Sequence, residues 1–243
     1  MGMNADNTES LLDQPQPQAV RFQVREDNGS TPPAAENAPG LALTKFTGED
    51  REWLRRAQTS KQLDEGVRIL GVANRHPRTG RPRVLACYPL RVLYNTERSA
   101  TPSFSDRKWD SRKGTAPVPF PNTFWLVCPE ANQQVGTLEH DGLIKSFAAR
   151  LREDPAMQES FDAAHAEFAA LRWSLLTDED RSYAVAEGFE AVLKDCGVGG
   201  LRYNSQVKCL HLHYSHYLAT GSNTVGLWVK QELEKRSPAA PPR

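Results

Sequence analysis

No stretch of the 243 residues approaches the roughly 18 consecutive apolar residues that a membrane-spanning helix needs, which excludes that class from the sequence alone. There is no excess charge either. Thirty Lys and Arg balance thirty Asp and Glu, so no global field draws the chain to nucleic acid or anionic lipid, and any such binding needs a local patch. Met1–Gln18 is acidic and polar without an apolar h-region, an argument against a secretory leader and for a cytoplasmic chain. Asp6 stands where an N-myristoylation signal after Gly2 wants Ser or Thr. Cysteine is scarce: Cys87, Cys128, Cys196 and Cys209 are far apart, so a disulfide framework is not expected, which leaves packing, metal binding or catalysis. Also missing are a phosphate-binding Gly-rich loop, a nucleophile elbow, a His-Glu-x-x-His helix and paired CxxC motifs.

What is present is one domain between two polar tails. Residues 1–46 are rich in Pro, Gln, Asn, Glu and Ala and bury too little apolar surface to offset ordering entropy, so disorder is expected there. A second tail is expected over 234–243, and the single domain spans 47–233. Thr47 followed by Glu49 and Asp50 opens a short helix. Val67–Ala73 and Val84–Tyr88 flank a turn rich in Pro and Gly and read as a β-hairpin. Residues 95–118 are polar and weakly basic and read as an inserted surface loop; Thr123–Cys128 is a third strand, stopped by Pro129.

The remainder is helical. The spacing predicts helices over Glu130–Glu139 and Gly142–Arg152, then a long one capped by Asp154-Pro155 with its apolar stripe on Met157, Phe161, Ala164, Phe168, Leu171 and Leu175. A capping box at Thr177 opens another helix through Lys194, and Gln206–Ala219 and Asn223–Leu233 complete the set. Strands precede helices, so the fold class is α+β: a small antiparallel sheet, hairpin plus third strand, packed by a C-terminal set of helices.

The segment Val207–Leu218 carries a cysteine and three of the six histidines. As a helix it sets Cys209, His213 and His216 on one face, with His211 on another. Thiolate and imidazole suit Zn²⁺ or a related transition metal. One helix cannot close such a site, so Cys128 or His76 is expected to supply a further ligand. Arg75 and Arg81 in the basic hairpin, with Lys208, are candidates for holding a small anionic or phosphorylated ligand; the same patch is the local argument for nucleic acid. His165 and Arg172, seven apart on the long helix, and His211 are the candidate catalytic groups.

Gly71-Val72-Ala73-Asn74-Arg75-His76-Pro77, Pro119–Pro129, Ala164-His165-Ala166-Glu167-Phe168 and Val207-Lys208-Cys209-Leu210-His211, with His216-Tyr217-Leu218-Ala219 and Asn223 following, resemble the bacterial family DUF501 over about Val67–Val229. The resemblance implies kinship without an established activity. It also implies a Cys at the place of His76 and a His at that of Cys128, an exchange that a shared metal ligand tolerates. The family lacks a His at the place of His213, which shifts weight to Cys209, His211 and His216. Three readings follow: a metal-dependent enzyme of hydrolytic type, a binding module with a closed structural zinc site and an Arg patch for RNA or an acidic partner, or a thiol enzyme using Cys209.

Overall fold

The computed structural model describes residues 41–57, 63, 66–92, 117–201 and 206–236. The expected disorder of the tail up to residue 40 and of the end from 237, and most of the expected insert, lie outside these residues. Among the described residues no helix is long and apolar enough to cross a membrane. The architecture is α+β, a four-stranded antiparallel sheet followed by helices.

Helix α1 (Gly48–Ala57) starts at a reciprocal cap: the Asp50 N–H donates to Thr47 Oγ1 (3.2 Å), and the Thr47 N–H donates to Asp50 Oδ2 (3.1 Å). Strands β1 (Val67–Arg75) and β2 (Pro82–Val92) form the hairpin, each longer than expected. β2 is central. β1 pairs along one edge, while β3 (Pro117–Pro119) and β4 (Phe124–Leu126) share the other. β3 takes the last two residues that the sequence reading gives to the insert, because Pro117 and Val118 pair with Val92 and Arg91. The free edge of β1 is not bare: Thr44 and Val72 exchange backbone hydrogen bonds of 3.0 and 2.8 Å, so residues 41–46, read as tail, lie on the domain.

β2 is buried on both faces, by alternation. Val84, Ala86, Tyr88 and Leu90 face the helices and the larger core, while Leu85 and Cys87 face α1 through Leu54 and the stacked pair Phe120–Trp125. The helices are α2 (Pro129–His140), α3 (Leu143–Glu153), α4 (Pro155–Ser174), α5 (Asp178–Ala186), α6 (Leu210–Thr220) and α7 (Thr224–Arg236). Asp154 accepts from the N–H groups of Ala156 and Met157, and Thr177 from that of Asp180, which makes the expected caps.

Two helices are shorter than their patterns suggest. α5 does not run to Lys194, because Gly188 (φ 74°) ends it. The Phe189 N–H reaches Ala184 O (2.7 Å) and the Gly188 N–H reaches Val185 O (3.1 Å), the paired bonds of a Schellman turn; a π-helical turn over Ala191–Asp195 follows. α6 does not begin at Gln206. Cys209 is extended (φ −148°, ψ 121°) and stands at the N-cap. Helices α6 and α7 cross closely at Gly226, where a Cβ would come within 2.3 Å of His213 O.

Candidate metal centre

The start of α6 lacks a local capping side chain, and a partner from another helix supplies it. Glu139, in the last turn of α2, accepts the Leu210 N–H at Oε1 (2.7 Å). The same oxygen lies 3.2 Å from His211 Nδ1, and Cys209 Sγ lies 3.9 Å from that nitrogen. The other ring nitrogen, Nε2, is 3.0 Å from Asn132 O, about two turns back along α2. Since a carbonyl only accepts, Nε2 carries a proton, and Nδ1 is the nitrogen that faces Glu139 and Cys209. Among the described residues, Glu139, Cys209 and His211 form the group whose ligand atoms all lie within 4.8 Å of one another. The side chains of Glu139 and His211 are 25 and 26 % exposed, so the group sits at the rim of the core. Burial by itself lowers the imidazole pKa, but the Cys209 sulfur, the Asn132 carbonyl and the Glu139 charge outweigh it and push His211 up to about 9.

This arrangement can hold a cation in place of a proton. Metal–ligand bonds of about 2.0–2.3 Å separate neighbouring tetrahedral ligands by about 3.3–3.8 Å; the separations of 3.2 and 3.9 Å from His211 Nδ1 bracket that range, and all three atoms lie within 4.8 Å of one another. A ligating imidazole that donates its other N–H to a backbone carbonyl is the usual outer-shell device for fixing ring orientation, and the Asn132 carbonyl does that here.

His213 and His216 are not in this group, which corrects the one-face reading. With Cys209 outside the helix, they turn to the opposite side of α6 and are buried at 1 % exposure each. The Gly226 N–H donates to Asn223 Oδ1 (2.7 Å), which orients that amide so that its Nδ2 donates to Nδ1 of both His213 (3.2 Å) and His216 (3.1 Å). Each ring therefore accepts at Nδ1 and carries its proton on Nε2, a form with no free lone pair for a metal. His216 stacks on Phe124 (centroids 5.8 Å apart) and His213 packs on Phe161. His165 completes the cluster, 5.6 Å from His213 between ring centroids. Its Nδ1 accepts the Val198 N–H (3.1 Å), and its Nε2 is buried without a partner. Backbone approaches it so closely that a Cβ on Gly197 would lie 2.0 Å from Nδ1. Burial first, and the neighbouring imidazoles second, hold His213 and His216 down at about 3; burial holds His165 at about 4 against the pull of Asp162. The trio is a neutral core element.

The other expected site residues lie apart. Cys128 stands at the N-cap position of α2, without a side-chain capping bond, inside the larger core, and His76 sits on the hairpin turn, where its Nδ1 accepts the Arg78 N–H; neither joins the Glu139 group. The expected convergence of Cys128, Cys209 and His216 on one ion is therefore corrected. Arg75 spends all five of its N–H donors on Thr44, Asp50 (two bonds), Lys45 O and Gly80 O, at 2.8–3.0 Å, so it braces the edge segment and leaves nothing for a substrate. Arg172, fully buried, donates to Leu193 O, Cys196 O and Pro121 O and ties α4 to the turns beside it; that is a structural brace where catalysis was expected. Burial lowers its pKa to about 10, which leaves it charged. Arg81 is exposed on the hairpin turn, and Lys208 is exposed with Nζ 3.3 Å from Gly199 O.

Glu139 is the ligand candidate that the sequence reading misses. Its signal is faint but physical: a carboxylate in the last turn of α2 opposes the helix dipole, a local misfit that calls for a reason elsewhere. Residues 72–231, more than half of the chain, match the family model described as a protein of unknown function (DUF501). The chain belongs to the DUF501 family. No curated protein and no solved structure matches it. The span shared with DUF501 contains Asn132, Glu139, Cys209 and His211, so the whole group falls inside the family domain, while α1 lies outside it.

Proposed function

We propose that this DUF501 protein is a metal-dependent enzyme of hydrolase type, in which Glu139, Cys209 and His211 hold a Zn²⁺-class ion and act on an anionic substrate. The observation that supports it is the spacing of three unlike ligand atoms around one point, with His211 Nε2 anchored on Asn132 O. A thiolate, an imidazole and a carboxylate together favour Zn²⁺ over hard cations. Among the described residues the group offers three protein ligands, which leave a coordination position for water or substrate, whereas a structural zinc site uses four; this favours catalysis over the closed binding module. A bound ion would lower the pKa of that water toward neutrality and polarise a carbonyl or phosphoryl oxygen. Lys208, exposed and next to Cys209 in the chain, is the cation we assign to the substrate's charge.

Elemental analysis of the purified full chain tests this. The expected result is about one zinc per chain, lost in Cys209→Ala and His211→Ala, weakened in Glu139→Gln, and kept in Cys128→Ser. Zinc absent from the parent, or retained by both the Cys209 and His211 variants, overturns the reading.

A further inference from the structure

Cys87, Cys128 and Cys196 are sealed in the core, at 0, 7 and 2 % exposure. Cys209 is half-buried, in extended backbone just outside α6, with Sγ 3.9 Å from His211 Nδ1. Thiol oxidation follows access, and Cys209 is the one of the four cysteines that is not sealed in the core. It is also the softest of the three atoms proposed to hold the ion, so chemistry at its sulfur bears directly on retention of the metal.

We propose that Cys209 is a peroxide-sensitive modification site, and that its oxidation to the sulfenic acid empties the metal centre. The inference rests on the metal reading above. The Cys209 thiolate attacks one oxygen of hydrogen peroxide; the S–O bond forms, the O–O bond breaks, and the departing hydroxide takes a proton from solvent and leaves as water. Sulfur gives up two electrons and the peroxide accepts them. The sulfenic acid has lost the thiolate's charge and binds a metal poorly, so Glu139 and His211 remain as two ligands where three held the ion. No second cysteine belongs to the group of atoms within 4.8 Å, so a disulfide does not form within the site. Reduction falls to a small external thiol: a first equivalent displaces water and gives a mixed disulfide, and a second releases the Cys209 thiol and the small disulfide. The site is thereby reversible, with peroxide opening it and thiol plus metal restoring it.

The full chain, loaded with Zn²⁺ and freed of excess metal, is first assayed for bound zinc. It is then treated with hydrogen peroxide alongside a chromophoric zinc chelator and dimedone, which traps sulfenic acid. Dimedone is expected on the Cys209 peptide by mass spectrometry, with about one zinc released per labelled thiol. A parallel sample without dimedone is expected to regain its zinc after dithiothreitol. Cys128→Ser is expected to respond like the parent, which excludes a core thiol as the target. Zinc retained when Cys209 is fully labelled, zinc lost while the label sits on another residue, or release that dithiothreitol does not reverse each overturns the proposal. Absence of zinc before peroxide is added is read first and separately; it overturns the metal reading, and this inference with it.

Discussion

Lowering the pH from about 7 to about 5 should destabilise this protein through its buried histidines well before its carboxylates titrate. His165 and His216 sit against the three phenylalanines Phe124, Phe161 and Phe168, with pKa values held at about 4 and about 3 against an ordinary 6.5. The folded chain keeps both rings neutral, so the stability they share is present above about 6.5 and is lost as pH falls toward 4. At about pH 5 the unfolded chain has taken up nearly a full proton per ring and the folded chain almost none. The loss is about 1.4 kcal/mol per pH unit for each ring, hence about 2 kcal/mol each and about 4 kcal/mol for the pair. His213, held at about 3 by the same burial, adds a similar amount. The charged neighbour that opposes the effect is Asp162, which pulls His165 upward; the imidazoles themselves repel one another's protons. Together this is a large part of the about 5–15 kcal/mol that holds a typical domain. Urea melts followed by tryptophan fluorescence at several values between pH 7 and 5 should show the midpoint falling steeply, and a His165→Gln variant should show about a third less dependence on pH. A midpoint flat over that range refutes the neutral-core account of the trio.

Two further perturbations follow from the same geometry. Asn223→Ala removes the α7 cap and leaves the Nδ1 atoms of His213 and His216 without a donor, so chemical denaturation should report a loss of about 3–5 kcal/mol with zinc content unchanged in the folded fraction. Arg75→Ala unties Asp50 and two backbone carbonyls and should cost about 2–4 kcal/mol, which Arg75→Lys does not recover because an ammonium cannot reproduce the fork. Any rise in melting temperature with added phosphate should be the same in Arg75→Ala as in the parent.

Local chemistry was legible from residues alone wherever the cause was local. Asp154-Pro155 and Thr177 start α4 and α5 because a cap acts across three residues, and β1 and β2 form a hairpin because the turn lies between them. The DUF501 kinship and the α+β order of strands before helices rest on motif order and periodicity, which are written in the chain. The stop at Gly188 was not read: the periodic pattern carried the helix on to Lys194, past the glycine whose positive φ ends it. The Glu139–Cys209–His211 group was half legible: the Lys-Cys-Leu-His segment marks Cys209 and His211, but their partner does not announce itself. Glu139 lies 71 residues from Leu210, and it is this carboxylate, accepting the first N–H of α6, that sets where the helix begins. Moving that start from Gln206 to Leu210 takes Cys209 off the helix, separates it from His213 and His216, and turns those two rings toward Asn223. No periodicity in a single segment contains that information, because helix ends are set by whichever group satisfies the free backbone donors, and here that group comes from another helix. The roles of Arg75 and Arg172 were decided in the same way: a guanidinium reads identically in sequence whether its donors await a ligand or, as in this fold, are taken by carbonyls and carboxylates that the chain brings back from far along its length.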